Sequence, residues 1–305
     1  MKYYDLTERV TGASAVGVGC MRIGGKSEKE AEEFVLTALE AGLNFFDHAN
    51  IYGGGGCEEV FGRLLRAKPS LRSQMLLQTK CGITEGRYCF EKEHILESVE
   101  ASLRRLGTDY VDVLLLHRPD ILMEPSEVAE AFDRLYAEGK VRAFGMSNQN
   151  SFQLELLSRH LHQPIAVNQM QLGPAFTSML DGGANVNNKN DAAPDRDGMV
   201  RDYCRMKGIR LQAWSPFQHG FFRGVFFDEP AYAPLTEALT EVGERYGLSP
   251  SATVMAWLLR LPEGVQPIVG TSSPERLRDL AKGADVRLTH EEWYRIYKAA
   301  GNALP

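Results

Sequence analysis

Asn44-Phe45-Phe46-Asp47-His48-Ala49-Asn50-Ile51-Tyr52-Gly53-Gly54 is a short apolar run that ends in a carboxylate and, five residues on, reaches a tyrosine opening into glycines. Such a run reads as a buried strand whose last residue turns out into a site. Two other apolar runs end in the same way: Met75-Leu76-Leu77-Gln78-Thr79 leads to Lys80, and Val113-Leu114-Leu115-Leu116 leads to His117. Asp, Tyr and Gly are also ordinary loop formers, so each signal is weak alone. Four polar groups on three strand ends imply one shared pocket.

Working outward from that stretch, strand-like and helix-like segments alternate. Strands are expected at 13–19, 44–47, 75–80, 110–116, 141–146, 164–169, 209–214 and 265–269. Between the first two, Ser27 and Glu30 form a capping pair ahead of Ala31, Phe34, Val35, Ala38 and Leu39 at helical spacing, and Gly42 closes the segment. Further helices are expected around Val60 to Leu65, at 92–106, 126–138, 152–160 and 199–207, and, near the end, at 235–245, 251–261, 274–283 and 290–300. The rhythm breaks once, over 172–198, where Gly, Asn, Asp, Ala and Pro predominate. A loop of that length suggests a lid over a ligand, with Phe176, Met179 and Leu180 as its apolar contacts. Strands separated by helices cannot pair through short hairpins, so the sheet must be parallel, and eight strands close a ring. The expected fold is a (β/α)8 TIM barrel spanning 1–305 as one domain, with an open doubly wound sheet as the alternative. In a barrel of this kind the site lies at the carboxyl ends of the strands, where Asp47, Lys80, His117, Ser147, Asn148, Gln169, Trp214 and Ser215 all fall. Gly17-Val18-Gly19 hints at a dinucleotide fingerprint, but Arg22 stands where the third glycine belongs, and the Rossmann reading fails.

Composition narrows the function classes. A 44% hydrophobic and 24% charged chain is that of an ordinary globular protein. Its net charge of -6 argues against nucleic acid, which demands a basic face. The first residues, Met1-Lys2-Tyr3-Tyr4-Asp5, hold no apolar core of signal-peptide length, and no long apolar run follows, so a cytoplasmic protein without a membrane partner is expected. The cysteines at 20, 57, 81, 89 and 204 show no disulfide or zinc spacing and read as reduced thiols. Cys81, beside Lys80, has a redox-active reading, but a buried inert thiol is the simpler one. No metal is expected. No partner protein can be read from the sequence.

The polar constellation suits one chemistry. A tyrosine with a pKa near 10 seldom exchanges protons at neutrality, and an adjacent ammonium, Lys80, is expected to lower it. Asp47 would keep Lys80 charged and oriented, while His117 would hydrogen-bond a substrate oxygen. A phenol acid beside an oxygen-binding imidazole fits hydride addition to a carbonyl, and hydride implies a nicotinamide. Trp214 offers a face for that ring, and Ser147, Asn148 and Gln169 offer bonds to its carboxamide. After the eighth strand, Gly270-Thr271-Ser272-Ser273-Pro274-Glu275-Arg276 has Ser273 as an N-cap, Pro274 as the first helical residue and Arg276 as a phosphate fork.

At this point the chain resembles an aldo-keto reductase along nearly its whole length. The resemblance rests on Gly17-Val18-Gly19-Cys20-Met21-Arg22, Phe46-Asp47-His48-Ala49-Asn50-Ile51-Tyr52-Gly53, Gln78-Thr79-Lys80, Asp112-Val113-Leu114-Leu115-Leu116-His117, Gly145-Met146-Ser147-Asn148, Asn168-Gln169 and the segment from Pro267 to Arg276. It implies a catalytic tetrad of Asp47, Tyr52, Lys80 and His117, with Tyr52 as general acid. It also implies NADPH lying extended across the barrel mouth, NADP being preferred over NAD. Cofactor contacts implied in the same way are Met21, Arg22, Ser147, Asn148, Gln169, Trp214, Ser215, Pro216, Gly270, Thr271, Ser272 and Arg276, the last on the adenosine 2'-phosphate. Two positions depart from the family pattern: Gly270 stands where many members have lysine, and His48 where Thr or Ser is commoner. With the closing Trp293 to Asn302 segment, His48 makes the chain similar to a bacterial NADP-dependent subgroup.

The expected substrate is a small carbonyl compound, with Ile23, Tyr52, Arg118, Phe176, Phe217 and Phe221 as possible walls of its pocket. Rival readings are an NADPH-binding regulatory subunit with negligible turnover, a metal hydrolase using Asp47, His48 and His117, and a Schiff-base enzyme using Lys80. His48, His160, His162, His219 and His290 read as residues with structural hydrogen bonds.

Overall fold

The computed structural model describes residues 1–85, 87–184, 191, 198–220 and 223–302. Eight parallel strands close into a barrel: β1 (Gly17–Gly19), β2 (Phe45–Asp47), β3 (Leu76–Cys81), β4 (Val111–Leu116), β5 (Val141–Ser147), β6 (Ile165–Gln171), β7 (Arg210–Trp214) and β8 (Gln266–Val269). Each strand pairs with its neighbours in chain order, and β8 returns to β1. The expected (β/α)8 barrel is the fold, and the open sheet is ruled out.

Around the ring stand α1 (Glu28–Glu40), α2 (Gly56–Ala67), α3 (Lys92–Leu106), α4 (Pro125–Ala137), α5 (Ser151–Ser158), α6 (Ser178–Ala184), α7 (Val200–Lys207), α8 (Ala233–Glu244), α9 (Pro250–Leu259), α10 (Pro274–Lys282) and α11 (His290–Ala299). Their starts follow local chemistry. Ser27 and Glu30 form the expected capping box on α1, and the same device recurs as Asn150 with Gln153 on α5 and Thr289 with Glu292 on α11. Among the described residues no helix is long and apolar enough to cross a membrane.

Strand alternation separates two cores. Along β3, Leu77 joins the layer between strands and helices, whereas Leu76 packs with the residues inside the ring. The inner cluster contains Phe45, Val113, Leu115, Ala143, Val167 and Ile268, together with Val10 and Ala13 from the N-terminal segment. That segment forms a hairpin of Tyr3–Tyr4 against Ala13–Ser14 and closes the base of the barrel. The strand expected over 13–19 is therefore two elements: 13–14 belongs to this hairpin and only Gly17–Gly19 to the barrel.

The segment 172–198 is also more structured than its composition suggests. Met179 and Leu180 are buried, and Tyr297 Oη donates 2.7 Å to Asp181 Oδ1, which ties α6 to α11. Residues 185–190 and 192–197, and with them part of the expected lid, lie outside the described residues.

Between α2 and α3 the backbones nearly touch: a Cβ on Gly62 would stand 1.8 Å from the Arg105 carbonyl oxygen. Beside it, Glu58 is fully buried, accepting from Thr79 Oγ1 at 2.6 Å and from Arg105 Nε at 2.8 Å.

Candidate active site

β2, β3 and β4 deliver the three strand-end groups, and the turn after β2 delivers the fourth. Residues Gly53, Gly54 and Gly55 have φ of 58°, 63° and 96°, a left-handed run that folds Tyr52 back over the barrel mouth before α2 begins. Lys80 Nζ then donates to three oxygens: Asp47 Oδ2 at 2.7 Å, the His48 carbonyl at 2.8 Å and Tyr52 Oη at 3.1 Å. The His117 ring stands edge-on to Tyr52, with centroids 6.0 Å apart. The four side chains converge as expected.

Their protonation follows from burial and from each other. Burial opposes the charge on Lys80, but Asp47 and Tyr52 outweigh it and raise its pKa, so the ammonium persists. Burial and the nearby charges of Lys80 and Arg118 push the His117 pKa down to about 2, so its imidazole is neutral. Tyr52 corrects an expectation: its pKa is raised, because burial outweighs the stabilisation of a phenolate by Lys80, whose charge is shared with Asp47. Tyr52 is a protonated phenol throughout the neutral range. Cys81 fits the inert-thiol reading, since burial drives its pKa up to about 12.

Beneath the tetrad lies a layer that the sequence reading missed. Gln78 Nε2 donates to Asp47 Oδ1 at 2.6 Å and to Gln212 Oε1 at 2.8 Å, and Gln169 Nε2 reaches the same two atoms at 3.3 and 2.9 Å. Gln212 Nε2 donates to Gln78 Oε1 at 3.2 Å and Gln266 Oε1 at 2.9 Å, and Gln266 Nε2 ends the chain on the Ser14 carbonyl at 2.6 Å. Gln78 and Lys80, two apart on β3, face the same way, as do Gln212 and Trp214 on β7; that spacing was the available signal.

The expected carboxamide group is assembled on β5 to β7. Ser147 Oγ donates to the Gln169 carbonyl at 2.9 Å and accepts from Asn148 Nδ2 at 2.8 Å, while Trp214 Nε1 donates to Asn148 Oδ1 at 3.1 Å. Asn148 and Ser215 hold φ of 60° and 48° at the ends of β5 and β7, backbone strain of the kind found at ligand sites. Pro216 is buried, and its carbonyl lies against Gly173, where a Cβ would come within 2.3 Å.

Across the mouth, Ser273 Oγ caps α10 by accepting from Arg276 N at 3.2 Å, leaving the first turn of α10 facing the exposed Gly270 and half-buried Thr271 and Ser272. A Cβ at Gly270 would meet nothing within 4 Å, so the loop leaves open room at that position. Met21 and Arg22 are exposed on the turn after β1. The open loop ahead of α10, the amide cluster at Asn148 and the buried Nδ1 of His117, which has no hydrogen-bond partner among the described residues, leave room and polar groups across the mouth that fit an extended nicotinamide dinucleotide.

Other expectations are corrected. The His48 ring makes no structural hydrogen bond: neither of its nitrogens has a partner among the described residues, and it packs edge-on against Phe61 at 4.6 Å. Burial and Lys80 push its pKa down to about 3. His219 Nε2 has no hydrogen-bond partner among the described residues and lies 3.8 Å from Glu229 Oε1, whereas His162 pairs with Asp133 at 2.9 Å and His290 with Arg260 at 3.2 Å. Of the expected pocket walls, Arg118 and Phe176 line a cleft of about 460 Å³ at the mouth. Ile23 is instead part of the outer core, Phe217 packs against Phe227, and Phe221 lies outside the described residues. A larger cleft of about 610 Å³, between Phe227 and α8, is lined by none of these groups.

Comparison with known proteins gives a consistent result. The signature of the Aldo/keto reductase family matches residues 15–300. Oxidoreductase YdhF of Escherichia coli is 36% identical over 90% of this chain and 88% of its own. A 6-dehydroglucose reductase of Agrobacterium fabrum is 34% identical, with 94% of each chain covered. Among solved structures, an aldo-keto reductase from Klebsiella pneumoniae in complex with NADPH superposes with a TM-score of 0.75 at 25% identity, covering 98% of this chain and 95% of the other.

Proposed function

We propose, from the premise that this chain belongs to the aldo/keto reductase family and is an oxidoreductase, that it reduces a small aldehyde or ketone with NADPH, Tyr52 acting as general acid. The observation that carries the reading is the bond from Lys80 Nζ to Tyr52 Oη at 3.1 Å, made by an ammonium that Asp47 fixes at 2.7 Å.

NADPH, when bound, supplies the hydride. Neutral His117 donates a hydrogen bond that orients the carbonyl oxygen. As charge grows on that oxygen, Tyr52 Oη gives up its proton, and Lys80, already in contact, stabilises the phenolate left behind. Asp47 holds Lys80, and Gln78 and Gln169 hold Asp47. Ser147, Asn148, Gln169, Trp214, Ser215 and Pro216 would meet the nicotinamide half. Met21, Arg22, Gly270, Thr271, Ser272 and Arg276 would meet the phosphates, with Arg276 favouring NADP over NAD.

The rivals fit less well. A Schiff base needs a free amine, and Lys80 is charged, buried and triply bonded. Among the described residues no cluster of His, Cys, Asp or Glu is arranged to hold a metal ion. An intact tetrad alone does not exclude a regulatory role, but relatives that match over most of this chain carry oxidoreductase and reductase names, and turnover separates the two readings.

The test is NADPH absorbance loss with a panel of aldehydes, ketones and quinones, comparing the native chain with Tyr52→Phe. Loss that requires both a carbonyl and the Tyr52 hydroxyl supports the reading. Tight NADPH binding without loss on any carbonyl would refute it.

A further inference from the structure

α6 has seven residues and ends in Gly-Gly-Ala, too short and too rich in glycine to stay helical by itself. What holds it comes from the far end of the chain. Thr177, whose carbonyl opens the first turn of α6, donates from Oγ1 to Asn302 Oδ1 at 3.1 Å, and Asp181 Oδ1 accepts from Tyr297 Oη at 2.7 Å. Asn302 Nδ2 donates to the Tyr297 carbonyl at 3.0 Å, so the two anchors are joined to each other. The anchors are fixed in turn to the outer core. Tyr297 stacks on Trp293 with centroids 5.4 Å apart, and Trp293 stacks on Trp257 of α9 at 4.9 Å. Each indole nitrogen donates to the other tryptophan's carbonyl at 3.1 Å, and Trp257 is fully buried.

The neighbours of the anchored residues face elsewhere. Phe176, Ser178 and Met179 line the cleft of about 460 Å³ at the mouth, together with Asn148 and Trp214. No residue of α11, nor Asn302, is among the described residues lining that cleft. Thr177 and Asp181 stand four residues apart and so share one face of the turn; bonding both fixes the rotation of the segment as well as its place. We propose that Tyr297 and Asn302 are positioning residues: without touching a ligand, they hold the Phe176–Met179 wall and so set how firmly the cleft grips the part of a carbonyl compound beyond its reacting carbon. The grip on a substrate rests on the carbonyl-reductase reading. The strap on α6 does not.

Two measurements test this, the first without turnover. Amide hydrogen exchange over 176–184 should rise by about fivefold or more in Tyr297→Phe and in Asn302→Ala, as expected for a lost hydrogen bond, while α10 keeps its protection. Tyr294→Phe, at an exposed ring on the same helix, should change neither. Unchanged exchange over 176–184, or a rise that α10 shares equally, overturns the strap. The second follows NADPH consumption with 3-phenylpropanal and propanal, which differ by a ring able to meet Phe176 and Met179. The kcat/KM ratio of the longer to the shorter aldehyde should fall by about fivefold in Tyr297→Phe, through the KM of the longer one, with kcat on propanal kept. A native ratio near one, or a ratio unmoved in a variant whose 176–184 exchange has risen, overturns the positioning role and leaves the reductase reading standing. If no carbonyl compound is reduced at all, that reading fails, and the exchange measurement alone decides the strap.

Discussion

His48 is neutral in the fold because burial and Lys80 hold its pKa at about 3. The unfolded chain takes up that proton near pH 6.5, so folding stability is full above that point and is lost as pH falls toward the folded value. In this window one such histidine contributes a slope of about 1.4 kcal/mol per pH unit. His48→Thr should remove about that much of the slope of unfolding free energy against pH between 6 and 4; an unchanged slope would show that the ring is protonated in the fold. Tyr52 makes the opposite kind of statement. Its raised pKa keeps the acid protonated, so the rate of carbonyl reduction should be flat through neutrality and fall only above the usual tyrosine range. Tyr52→Phe should cost about 10²- to 10⁴-fold in kcat while NADPH binding persists. These residues were legible because strand ends stop apolar runs with a polar side chain. The upward shift of Tyr52 and the unpartnered ring of His48 were not, because both depend on burial by residues far away in sequence.

At the level of elements, the helix starts were the easiest features to read, since capping pairs such as Ser27 with Glu30 and the Ser273-Pro274 sequence are local chemistry. Ser273→Ala should cost about 1 kcal/mol of stability and weaken NADP binding in parallel, measured by urea unfolding and fluorescence titration. What a single element cannot reveal is how closely its neighbour approaches. Gly62 is indistinguishable in sequence from a weak spot in a helix, yet it is where α2 meets the α3 backbone. Gly62→Ala would force the two apart and strain the buried Glu58–Arg105 pair beside it. A loss of at least about 2 kcal/mol is expected, against the small gain that alanine gives in an open helix. The short α6 escaped for the reverse reason: its composition is that of a loop, and it is held by partners such as Tyr297 from the far end of the chain.

Over the whole molecule, the alternation of strand and helix was enough to specify the ring, because parallel strands joined by helices leave few other closures. What it could not specify is how the ring is filled. From base to mouth the interior passes from the apolar plug of Val10, Ala13 and Phe45, through the glutamine layer, to the tetrad. Gln212→Leu keeps the volume but strips partners from Gln78, Gln169 and Gln266, and should lower stability by at least about 2 kcal/mol in urea unfolding. The layer also has a direction. Asp47 Oδ1 at the top and the Ser14 carbonyl at the bottom can only accept, so each amide between them must present its nitrogen and oxygen one way round. Replacing Asp47 by asparagine would leave one acceptor where there are two, so a donor would face either Lys80 Nζ or the amides of Gln78 and Gln169. Because the Ser14 carbonyl can only accept, Gln266 and Gln212 keep their direction, so a change of charge at the mouth is met there and the hairpin that seals the base does not feel it.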